Sequence, residues 1–200
     1  MFFIRFFTGS IIGIISGLLF SVLMLFIFLA IVVVVLASTG GPGDCDPGGG
    51  PITVSTANSD TFKQKWDGFD AILDGGSPSS VTFNESELSS RAVNYLEEEE
   101  DTPFKDVRVC VHDGFGEATG RLDLLGIDVK IKLKGTVDLT GEHPDADIDK
   151  IEVGNVPGFM TGSIETLVNR AIDAVESDID LDHPYTPELT EGSAVIAGQP

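Results

Sequence analysis

The reactive side chains of this sequence are few: three histidines, two cysteines and two runs of alternating aspartates. A histidine general base needs a nucleophile and an orienting carboxylate around it. His112, His143 and His183 stand far apart, and no Ser-His-Asp spacing, GxSxG, HExxH or glycine-rich phosphate loop accompanies them. His143-Pro144 and His183-Pro184 read as turn positions. Asp145, Asp147, Asp149 and Asp178, Asp180, Asp182 each spell D-x-D-x-D, a spacing that invites calcium. An EF-hand loop also needs Gly at its sixth position and Glu at its twelfth. Those positions hold Lys150 and Val156 in the first run, His183 and Leu189 in the second. Solvated carboxylates on a strand or helix end explain both runs. No catalytic residue, metal site or cofactor is expected.

Residues 11–37, IIGIISGLLFSVLMLFIFLAIVVVVLA, contain no charge. As a helix the run is about 40 Å long, against a hydrocarbon core of about 30 Å. It reads as a transmembrane anchor; the alternative is a cleaved signal peptide with Val35-Leu36-Ala37 as its small-residue cleavage site, although such peptides usually have an apolar region of only about 7–15 residues. Arg5 precedes it, and no Lys or Arg follows until Lys63. The positive-inside bias puts residues 1–10 in the cytoplasm and the rest outside a cell membrane crossed once. The whole chain carries −20. Removing the single positive charge of Arg5 leaves −21 beyond Ala37. That field repels nucleic acid and disfavours adhesion to anionic headgroups.

Gly40 to Pro51, GGPGDCDPGGGP, has the composition of a linker, so residues 38–51 are read as linker and 52–200 as one extracytoplasmic α+β domain. Cys45 lies in that linker and Cys110 on a predicted strand. In a disulfide-permitting compartment they either bridge or remain free thiols. Phe62, Trp66, Phe69 and Leu73 space a helix from about Thr61 to Asp74, capped by Ser59 or Asp60 and ended by Gly75-Gly76. Asn84 and Glu87 form a capping box for a second helix, with Phe83 and Leu88 as its hydrophobic staple. Its apolar stripe is Leu88, Ala92, Tyr95 and Leu96.

Strands follow. Val107, Val109 and Val111 alternate with Arg108, Cys110 and His112, and Asp113-Gly114 turns the chain. Ile127, Val129, Ile131 and Leu133 face one way, Asp128, Lys130, Lys132 and Lys134 the other, with a bend at Gly135. A long helix from about Phe159 to Asp178 carries Met160, Ile164, Leu167 and Val168 on one face. A hairpin about the Glu191-Gly192 turn ends the chain.

SPSSVTFNESELSSRAVNYL, VRVCVHDGFGEATGRL, VKIKLKGTVDL, KIEVGNVPGFM and TEGSAVIAG, in that order, resemble the membrane-anchored YpmS-like and LmeA-like extracytoplasmic families. These are distantly related to the tubular lipid-binding (TULIP) superfamily. The similarity covers about Val81 to Gly198, and Gly154-Asn155-Val156-Pro157-Gly158 matches the family's run before the long helix only in part. The resemblance implies a curved antiparallel sheet wrapped around a long helix, with an apolar groove for lipid acyl chains. It carries over no catalytic residue. The groove candidates are then Ile127, Val129, Ile131 and Leu133 with Met160, Ile164, Leu167 and Val168.

The expected function is a non-enzymatic, membrane-tethered lipid-binding or lipid-transfer-like protein. Little headgroup selectivity is expected, because the sequence shows no basic cluster for phosphate. The alternative is an envelope interaction module in which the same faces close into a filled core. No protein partner is legible. Protease added to intact cells should digest the domain while sparing the anchor; complete protection in cells with an accessible surface would sink the orientation.

Overall fold

Among the described residues from Gly40 on, the periodicities above become three helices and seven strands in the computed structural model. It describes residues 24, 40–98, 104–124, 127–154, 156 and 158–200, with backbone alone at 124, 127, 158–161 and 178. The expected cytoplasmic N-terminus and membrane segment, apart from residue 24, lie outside the described residues. No helix among the described residues is long and apolar enough to cross a membrane.

Helix α1 runs Thr56–Asp74. It starts earlier than predicted because Ser55, not Ser59 or Asp60, is the cap: its hydroxyl accepts the Asn58 N–H at 3.2 Å. The Gly75-Gly76 stop is as expected, with Gly76 N donating to Leu73 O at 2.8 Å. Strand β1, Ser79–Asn84, leads into α2, Glu85–Glu98. The capping box is present in both directions: Glu87 N donates to Asn84 Oδ1 at 2.9 Å, and Asn84 N to Glu87 Oε2 at 3.0 Å. Strands β2 (Phe104–His112), β3 (Phe115–Leu124), β4 (Ile127–Asp138) and β5 (Asp145–Val153) follow. Helix α3, Gly158–Asp178, and strands β6 (Tyr185–Thr190) and β7 (Ser193–Gly198) complete the chain.

The strands form two antiparallel sheets, ordered β1-β7-β6 and β2-β3-β4-β5. The α+β class therefore holds. The single curved sheet does not appear: there are two sheets, and neither is closed or strongly curled. The three-stranded sheet packs on α1 through Phe69, Leu73, Phe83, Tyr185 and Ile196, with Trp66 and Leu88 beside them. Tyr185 donates to Asp70 Oδ1 at 2.9 Å. Burial, then that bond to a carboxylate, push its hydroxyl above tyrosine's ordinary range. Strand β4 pairs with β3 without interruption through Gly135, and the register slip against β5 between Lys134 and Gly135 leaves Asp149 of β5 as the extra residue.

Residues 40–51, read above as a linker, form a strap across the polar face of the four-stranded sheet. Gly41 lies against Lys130 and Gly154. Cys45 bridges Cys110, and the Thr119 hydroxyl donates to its sulfur at 3.8 Å. Gly48 N and Gly49 N then donate to the two carboxylate oxygens of Glu85, at 3.1 and 2.9 Å. Glu85 is only 3% exposed and also accepts the Val111 N–H of β2 at 2.9 Å. Charge-assisted bonds of this kind are each worth about 1.5–3 kcal/mol.

This attachment revises the expectation that a fragment starting near Ile52 folds undisturbed. The bridge spans 65 residues, a loop for which chain entropy gives about 4 kcal/mol. A fragment from Gly40 should fold stably. One from Ile52 should be weaker by at least about that amount in urea titrations, since it also empties the Glu85 site. Equal midpoints and slopes would show that the strap contributes nothing.

Candidate functional site

The predicted groove residues meet across β4 and α3. Val129, Ile131, Ile164 and Val168 are each 4% exposed or less. Ile131, Ile164 and Val168 pack with Leu122 of β3, and Leu133 and Leu167 lie half-buried against them. Ile151 and Val153 of β5 close the same cluster. The side chains of Ile127 and Met160 lie outside those described.

Each histidine meets a carboxylate. His112 Nδ1 is 3.2 Å from Glu191 Oε1, and its ring lies on Phe115 at 4.9 Å. His143 Nδ1 is 2.9 Å from Ile179 O and 3.5 Å from Asp180. His183 Nε2 is 3.2 Å from Asp74 Oδ1. Among the described residues, no hydroxyl or thiol is bonded to any of the three, and no group of three or more His, Cys, Asp or Glu is placed to hold a metal ion. Asp145, Asp147 and Asp149 are exposed on β5, as strand alternation requires.

A cleft of about 630 Å³ opens between the strap, α2 and the polar face of β2, β3 and β4. Val54, Val93, Leu96, Phe104, Val107 and Ile131 supply its apolar lining. Lys105, Arg108, Arg121 and Lys130 also line it, four of the chain's twelve basic residues. The expectation of no basic cluster therefore fails. Antiparallel register sets Arg121 opposite Lys130, and Lys105 opposite Arg121, although they are scattered along the chain. Most of these cations are already engaged. Lys105 Nζ sits 2.7 Å from Asp123, a bond that holds it above lysine's ordinary range. Arg121 Nε is 3.3 Å from Asp106, and Lys130 Nζ 3.8 Å from Asp44 on the strap. Arg108 has no carboxylate partner among the described residues. Asp44, Glu97, Asp106 and Asp128 on the walls balance the four positive charges.

No family model, curated protein or solved structure matches this chain. The cleft thus has to be judged on its own geometry. Among the described residues, Ile131 alone of the predicted set lines it. Arg108, Arg121 and the strap were missed by sequence reasoning. Alternation placed Arg108 on the face opposite the β2 valines, but nothing local told what lay over it.

A second cleft, about 560 Å³, lies at the other end of β4 and β5. Asp138, Glu142, Asp145, Asp173 and Glu176 line it, with no Lys or Arg.

Ile164→Ala should cost about 2–5 kcal/mol, the range for emptying a packed core position. Chemical unfolding of the variant measures it. A loss below about 1 kcal/mol would mean that α3 does not depend on this contact.

Proposed function

We propose that this protein is a non-enzymatic, membrane-tethered, extracytoplasmic lipid-binding protein, with its ligand in the cleft beneath the strap. The single observation that carries this is the lining of that cleft, in which apolar side chains stand beside ionic ones. Its volume of about 630 Å³ suits a single acyl chain or a compact lipid. Val54 and Val93 offer apolar contact, while Arg108 is available to a polar head. The Cys45–Cys110 bridge is compatible with a domain outside the cell membrane. The resemblance to tubular lipid-binding proteins supports the ligand class. The wrapped-sheet groove of that superfamily is not needed here, because the lipid is assigned to a different surface from the β4–α3 interface.

One observation favours the second reading, an interaction module with a closed core. Val129, Ile131, Ile164 and Val168 are buried against protein. Fluorescent fatty-acid uptake by the fragment from Gly40 decides between them. The folded wild type should bind, and Val54→Arg and Val93→Arg should weaken binding at least about tenfold, or about 1.4 kcal/mol. Ile72→Arg, an exposed site outside the cleft lining, should bind as wild type. A folded fragment that takes up no lipid would favour the interaction module.

A further inference from the structure

We infer that the fold dictates which end of the domain faces the bilayer: the end where β4 begins, β3 and β5 finish and β2 starts. This rests on the reading of residues 11–37 as a membrane anchor. Two independent features point the same way.

The first is where the chain leaves the fold. Gly41 is held against Lys130 and Gly154, and Gly154 N donates to Lys130 O at 2.7 Å. The disulfide at Cys45 and the Glu85 bonds at Gly48 and Gly49 prevent the strap from peeling back. Ala37 ends the apolar run, and Gly40 is three residues on. Three residues reach at most about 11 Å. The strap therefore brings the Lys130–Gly154 end within about that distance of the headgroups. A freely jointed linker from Ala37 to Ile52 would have allowed any orientation.

The second is charge. The cleft at this end carries Lys105, Arg108, Arg121 and Lys130 against four carboxylates. The cleft at the opposite end carries five carboxylates and no Lys or Arg. Strand β4 runs from one end to the other, and its 12 residues span about 36 Å. That separation exceeds the Debye length of about 8 Å in physiological salt. An anionic leaflet then sees the balanced end locally, while the acidic end stays outside its field. The partner surface is the bilayer that holds the protein's own anchor. This orientation also opens the strap cleft beside the headgroups.

The test uses the full chain in phosphatidylcholine nanodiscs containing a small fraction of lipid with a nitroxide on its headgroup. Backbone amide signals of Lys105, Asp128, Lys130 and Gly154 should be lost to paramagnetic broadening. Those of Gly114 and Gly141, in turns at the opposite end, should survive. Equal broadening at both ends, or loss at Gly141 with survival at Gly154, overturns the orientation. Flotation of the full chain with liposomes separates the two layers. A chain that floats but shows no polarity refutes the orientation alone. A chain that does not float refutes the anchor, and the orientation with it.

Discussion

A buried carboxylate organises this fold. Glu85 is the first residue of α2, at the positive end of the helix dipole, and accepts N–H groups from Gly48, Gly49 and Val111. A charge taken out of water is tolerated only when fully hydrogen-bonded. Here the donors are backbone groups of two other chain segments, the strap and β2. Satisfying one side chain therefore fixes the relative positions of a helix, a sheet edge and the strap. Losing a partner of a buried charge commonly costs about 3–5 kcal/mol, so these segments are coupled rather than merely adjacent.

The same region solves an edge problem. Strand β2 ends the four-stranded sheet and exposes unpaired backbone groups on its outer side. Ser89 of α2 accepts the Val109 N–H at 2.8 Å and donates to its carbonyl at 3.3 Å. Gly192, in the β6–β7 turn, donates to Val111 O at 2.9 Å, and Gly114 N to Leu189 O at 3.0 Å. These contacts join the two sheets. Gly192 has φ +80°, and a side chain there would come within 2.6 Å of Gly49 Cα. Glycine is required at that point by conformation and by space together.

The charge distribution acquires meaning only on this frame. A chain of −20 reads as uniformly repulsive toward an anionic surface. Folding separates it into a balanced cleft under the strap and an acidic one at the far end.

What the sequence determined by itself was local. The Asn84–Glu87 box, the Gly75-Gly76 stop, the Asp113-Gly114 turn and the β4 alternation all arise between near neighbours, where periodicity and capping chemistry act. So did the packing faces of β4 and α3, which meet as their patterns required. The tertiary structure alone decided the rest. Strand β1 is short, has little apolar pattern, and exists because it pairs with β7 across the chain. Helix α2 buries Glu85, Glu87, Ser89 and Ser90, whereas its apolar stripe of Leu88, Ala92, Tyr95 and Leu96 is only half-buried. Those polar residues are inside because their partners, Lys65, Val109, Val111, Ser55 and the strap, arrive from elsewhere in the sequence. The disulfide links residues 65 apart, and the cleft gathers its cations through sheet register. Periodicity records which face a side chain occupies; it carries no information on what comes to cover that face, because such contacts are set by long-range closure of the chain.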